Sequence, residues 1–215
     1  MQEAKPTEPS SRPWLAHAEL VGERVRLRPV GPADVVPCFE LVHERREVTN
    51  WLIWDGPSEV GELAPWFLTW PLGDGERGRD YHLAIVDPAD GAFCGTISLK
   101  LRDHPGDGEL GYWVAVERQG RGLASEAVAL VTWLGFEVLG LERVHAECFE
   151  GNAPSRRVLE RARLVEVERG VRTIEKQGRE VRLDLFALDR AGWERAGRPG
   201  QPVAHALRRG AASVR

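Results

Sequence analysis

The sequence predicts an α+β domain: a mixed, mostly antiparallel central sheet with helices packed on its faces. Three observations lead there. Alternating runs bounded by turn residues, 81–87 with 93–101 and 164–171 with 181–188, read as two hairpins and therefore as antiparallel strands. Between them, over 109–149, a strand-like run, a glycine-containing loop, a helix-like run and a second strand follow one another, the pattern of a parallel right-handed crossover. No internal repeat divides the chain, and 215 residues with 42% hydrophobic and 29% charged residues suit one well-cored domain.

The elements follow in order. Residues 1–18 are rich in Pro, Ser and Glu and are expected to be a flexible tail, leaving a domain over 19–192 and a C-terminal tail over 193–215, where periodicity is lost. ERVRLRPV (23–30) sets Val25 and Leu27 against three arginines, a half-exposed strand. Asp34 can begin a helix running to about Glu47. The stretch 50–72 carries Trp51, Trp54, Trp66 and Trp70, and Pro57 and Pro65 break it into one or two short helices. PADG (88–91) turns the first hairpin, and ELGYWVAV (109–116) is the next strand. Beyond it, small or apolar residues at 124, 127, 128, 131, 134, 135 and 138 mark one face of an amphipathic helix. RVHAECF (143–149) is a strand and 152–162 a short helix. The second hairpin closes around Gln177-Gly178.

Composition excludes several function classes. The net charge is −4 and the basic residues are dispersed, which gives no footprint for nucleic acid. The apolar runs are far too short to span a bilayer, so no membrane role is expected. The first residues lack the apolar core of an export signal. Cys38, Cys94 and Cys148 are odd in number and widely spaced, as expected for buried free thiols in the cytoplasm. No metal is expected. Exposed strand edges and the tryptophan segment leave a homodimer open.

The stretch ERQGRGLASEA (117–127) is where chemistry first shows. A helix starting near Leu123 leaves its first N–H groups without intrahelical partners, and they point back into the loop. Gly120 and Gly122 permit close backbone approach, while Arg118 and Arg121 can add charge-assisted hydrogen bonds, an arrangement that suits a pyrophosphate. A decorated turn with solvated arginines explains the same residues. A P-loop is excluded by the missing Lys-Ser/Thr pair, and a dinucleotide fingerprint by Ser125 in place of a third glycine.

Gln119-x-x-Gly122-x-Ala124, placed after a strand and opening a helix, resembles the acyl-CoA pyrophosphate signature of the GNAT N-acetyltransferase superfamily. ELGYWVAVERQGRGLASEAV followed by Asn152-Ala-Pro-Ser155 is similar to the RimJ/RimL-type branch, which acetylates amino groups, including protein N-termini. The resemblance implies the GNAT acyl-CoA N-acyltransferase fold, acetyl-CoA as cosubstrate and an amine acceptor, either a protein N-terminus or a small molecule. Loss of catalysis with retained binding would make the chain an acyl-CoA sensor instead.

The resemblance also assigns residues. The backbone around Tyr112, Trp113, Val114 and Val116 would bind the pantetheine and the acetyl carbonyl. Gln119, Gly120, Arg121, Gly122, Leu123, Ala124 and Ser125 would hold the pyrophosphate. Asn152 would contact the pantetheine arm, and Ser155 would act as general acid toward the leaving thiolate; locally, the same pair reads as a helix N-cap. For the base, Glu109 at the strand start and Glu147 beside His145 are the candidates, with a solvated carboxylate and a satisfied polar pair as their alternatives. Cys148 differs in strand parity from Glu147 and reads as a buried thiol. Trp51 and Trp54 would wall the acceptor site, and Asp55 would attract a cationic amine. One departure stands out: the family's Gly-Phe after the 152–162 helix is replaced here by Arg163-Leu164, which removes the residue best suited to a left-handed helix stop.

Overall fold

The two hairpins and the crossover assemble into one sheet. The computed structural model describes residues 15–69, 80–101 and 106–209; Trp70 lies outside the described residues. Within them the strands are β1 (Leu15–Val21), β2 (Arg26–Pro29), β3 (Asp80–Val86), β4 (Phe93–Leu101), β5 (Asp107–Val114), β6 (Arg143–Phe149), β7 (Val165–Lys176), β8 (Arg179–Asp189) and β9 (Ala204–Arg209). Their spatial order is β7-β8-β6-β5-β4-β3-β2-β1-β9. Only β5 and β6 run parallel, as the crossover between them requires. The expected α+β class, mixed and mostly antiparallel, is the class observed. Gln177 (φ 51°) and Gly178 (φ 72°) are both left-handed, the geometry of a two-residue turn matched to strand twist.

Alternation along the strands feeds two cores. Leu83 and Ile85 of β3, with Ile97, Leu99, Leu110 and Val144, face α4 (Leu123–Trp133) and α5 (Ala153–Arg161). Ala84 and Val86 face the other way, toward α1 (Val35–Val42) and α3 (Ala64–Thr69). On α4, the expected positions 127, 128 and 131 are buried in the first core, and the helix continues as a looser π-helical turn over Leu134–Val138. The helix expected over 34–47 is instead split. Glu44 takes a left-handed φ of 54°, and the chain restarts as α2 (Arg46–Thr49).

Both tails shrink. Residues 15–18 belong to β1, and β9 pairs with β1 from Val21↔Ala204 to Leu15↔Arg209. The expected boundary at 192 also cuts through α6 (Arg190–Arg195), whose Trp193 is fully buried. Its ring lies 5.3 Å from that of Phe136, and its Nε1 donates to the Pro199 carbonyl at 3.0 Å. AHALRR lacks a clean alternation of large apolar residues, so its strand character comes from the β1 edge it covers.

The missing glycine after α5 does not abolish the left-handed stop. Arg163 adopts φ 71°, its N–H reaches the Glu160 carbonyl at 3.0 Å, and the Leu164 N–H reaches Leu159 at 3.0 Å. This is the paired-bond helix stop that normally uses glycine, here carrying a Cβ in a disfavoured region. Arg163→Gly is therefore expected to stabilise the fold by about 1 kcal/mol, whereas Arg163→Ala gives no such gain; urea denaturation measures both. Trp193→Ala is expected to destabilise by about 3–5 kcal/mol in the same assay, and a near-zero effect would return this residue to a tail.

Candidate active site

The site originates where the sheet opens. β5 and β6 pair only from Asp107↔Arg143 to Leu110↔Ala146. Beyond that point residues 111–114 stay paired with β4, and 147–149 stay paired with β8, so the two parallel strands part. The Ala115 N–H donates to the Cys94 carbonyl at 2.8 Å. By the alternation of an antiparallel ladder, Gly111 and Trp113 then turn their backbone groups to β4, and Tyr112 and Val114 turn theirs into the gap. A cavity of about 710 Å³ runs through this opening and joins the two faces of the sheet, a volume ordinary for a small-molecule site.

One wall is the loop between β5 and α4. Gly120 (φ 74°) and Gly122 (φ 84°) are left-handed, and Gly122 caps α4, so the amides of Leu123, Ala124 and Ser125 open toward the cavity they line. The Gln119 side chain folds back and donates to the Val114 carbonyl at 3.0 Å, closing the strand end onto the loop. The arginines do something other than expected. Arg121 reaches Asp87 at 2.8 Å, and Arg118 reaches Asp87 at 3.2 Å and Asp90 at 2.8 Å. Both guanidinium groups clamp the loop to the β3–β4 turn, and Arg121 and Val116 do not line the cavity. Arg118 does line it, but with its guanidinium held by the two aspartates, so among the described residues the loop amides are the donors without such a partner at this wall.

A second wall is the start of α5. The Asn152 side chain accepts from the Ser155 N–H at 3.1 Å, so the N-cap reading holds, and both residues also line the cavity. The Tyr112 hydroxyl lies 2.9 Å from Ser155 Oγ and donates to the Ser155 carbonyl at 3.2 Å. Burial pushes that phenol well above its usual range, so it stays a neutral proton donor. The sequence reading assigned only the backbone of Tyr112. Its strand parity, shared with Leu110, was the signal that its side chain faces α5. Cys148 is buried beside this pair, and desolvation raises its thiol, which disfavours a thiolate nucleophile.

On the opposite face the two candidate bases differ. Arg172 grips both oxygens of Glu147, with Nε at 2.9 and 2.8 Å and Nη2 at 2.5 Å. Glu109 instead lies 4.0 Å from His145 Nε2, whose Nδ1 is 3.0 Å from Asp107. His145 thus pairs with the β5 carboxylates and not with Glu147. His82, which sequence reasoning missed, also lines the cavity; burial and then the charge of Lys100 lower it to about 4, leaving a neutral imidazole. Trp51 and Trp54 line this half, Trp51 set edge-on to Phe149 with ring centroids 6.4 Å apart. Asp55 does not join them. Its carboxylate is held below the usual range by Lys176 at 2.5 Å, then by Gln177 at 3.4 Å, and it stands outside the cavity lining.

Comparison with known proteins agrees with this geometry. Residues 24–165 match the family model for the acetyltransferase (GNAT) domain. The chain is 28% identical over 183 residues to the Bacillus subtilis (strain 168) protein named "Putative ribosomal N-acetyltransferase YdaF", covering 81% of this chain and 96% of that one. Among solved structures, a "Probable acetyltransferase" superposes with a TM-score of 0.72 at 26% identity, over 80% of this chain and 96% of the other. Mycobacterium smegmatis RimJ, in complex with CoA-disulfide, superposes with a TM-score of 0.69 at 23% identity, over 87% and 96%. A parted pair of parallel strands, a glycine-capped helix facing the gap and a family match across two thirds of the sequence converge, and the chain belongs to the GNAT acetyltransferase family, with relatives that support its resemblance to the RimJ/RimL-like branch.

Proposed function

We propose that the protein moves an acetyl group from acetyl-CoA directly to a primary amine in a ternary complex, with a protein N-terminus as the acceptor. The gap between β5 and β6 carries this reading, because it brings a phosphate-sized amide cradle, a hydroxyl pair and an aromatic-walled pocket into one cavity. Bound acetyl-CoA would supply the activated thioester. The gap-facing backbone of Tyr112 and Val114 would hydrogen-bond the pantetheine and polarise the acetyl carbonyl. Amides over 119–125 would hold the pyrophosphate. Ser155 would pass a proton to the leaving thiolate and be resupplied through the Tyr112 hydroxyl at 2.9 Å.

Of the two carboxylates, Glu109 suits the base better, because Arg172 already occupies both oxygens of Glu147. Trp51 and Trp54 would wall the acceptor; Asp55, engaged by Lys176, is not carried into this role. Buried free thiols at Cys38, Cys94 and Cys148 suit work in the reducing cytoplasm.

A thiol-release assay with acetyl-CoA, run across peptides beginning with Ser, Ala, Thr or Met and a panel of small amines, tests the reading. Turnover confined to small amines would move the acceptor away from proteins, and tight CoA binding without any turnover would make the chain a sensor. Ser155→Ala is expected to lower kcat about 10²-fold while the calorimetric Kd for CoA stays within about twofold. Glu109→Gln is expected to cost about 10–10²-fold in kcat/KM at neutral pH, with a smaller loss for Glu147→Gln at matched folding. The reverse order would reassign the base.

A further inference from the structure

The arginines of the pyrophosphate loop are neutralised by Asp87 and Asp90, and Arg156 on α5 is neutralised by Glu166 and by Asp184 at 3.1 Å. Two other cations of α5 are not. Arg157 and Arg161 are exposed, both line the cavity, and among the described residues neither has an ion-pair partner. They stand four residues apart on one helix, a like-charge spacing that is unfavourable in an isolated helix. The helix C-terminus favours Arg161 but offers nothing to Arg157. An anion lying between the side chains would remove that repulsion.

The direction of α5 says which anion. Pro154, Val158 and Arg161 form an i, i+4, i+7 stripe along the cavity, beginning next to Ser155. Arg161 lies six residues beyond Ser155, about 9 Å along the helix axis, and its side chain extends the reach further. If Ser155 marks the thiol end of the cofactor, Arg161 lies toward the nucleotide end. The loop amides already provide for the pyrophosphate. We infer that Arg161, with Arg157 beside it, binds the 3′-phosphate of CoA and makes the protein select CoA over 3′-dephospho-CoA. This rests on the acyl-CoA reading above and adds a phosphate subsite to it.

Calorimetry on the full chain with CoA and with 3′-dephospho-CoA tests the subsite without requiring turnover. The unmodified protein is expected to bind CoA at least about tenfold more tightly, from two charge-assisted contacts, with a steeper salt dependence for CoA. In the Arg157→Gln/Arg161→Gln double variant, CoA affinity should fall to the dephospho-CoA level while dephospho-CoA affinity stays unchanged. Arg163→Gln, which removes a charge from the same helix end away from the cavity, should retain the discrimination. Equal weakening of both ligands in the double variant, or no discrimination by the unmodified protein, would overturn the subsite while leaving the acetyltransferase reading intact. Failure of the unmodified protein to bind either ligand would overturn both. Thermal melts of the variants check that these exposed substitutions leave the fold unchanged.

Discussion

The parting of β5 from β6 is the constraint on which the rest of the structure depends. A parallel pair that stayed zipped would satisfy its own backbone groups and wall the α4–α5 core off from the α1–α3 core. Here β4 holds one strand and β8 holds the other, so the polar edge of 112–114 is left facing a cavity without loss of the sheet. Because the opening passes through the sheet, a ligand lying along α4 and α5 can present its end to groups on the far face, among them Glu109 and Trp51.

A rigid loop is the second requirement. Asp87 is 3% exposed, yet it receives Arg118, Arg121 and the Ala89 N–H, at 3.2, 2.8 and 3.0 Å. A buried carboxylate with three partners is strongly favoured over one left unpaired. These contacts anchor the loop that carries Gly120 and Gly122. Preorganised amides lose little on binding, whereas free arginine side chains would lose rotamer entropy. The loop's charges therefore hold its shape and leave its amides to face the cavity.

Much of this was legible in sequence because it is local. The crossover, both hairpins, the α4 face and the Asn152 cap rest on periodicity and capping over stretches of about a dozen residues, and the observed elements follow them. What stayed hidden depends on distant partners. Lys176 reaches Asp55 across 121 positions in the chain, and the Tyr112 hydroxyl meets Ser155 across 43. The pairing of β1 with β9 joins the two ends of the domain through short strands of weak pattern. Arg118 and Arg121 were legible as cations, but their carboxylates belong to another turn, and only the fold shows that they are taken.

The same logic separates residues of identical chemistry. Glu109 and Glu147 both line the cavity from neighbouring strands, and the sequence favours Glu109 only slightly. The β7–β8 hairpin tells them apart: it carries Arg172 to Glu147, and the guanidinium is in turn held charged by that carboxylate. A carboxylate saturated by a fork of donors has no lone pair well placed to receive a proton from an ammonium. Glu109 faces an imidazole at 4.0 Å, a partner that can itself take or give a proton, and that imidazole leads on to Asp107. Arg172 thereby sets the two carboxylates apart: Glu147 is held in its fork, and Glu109 stands beside the His145–Asp107 pair.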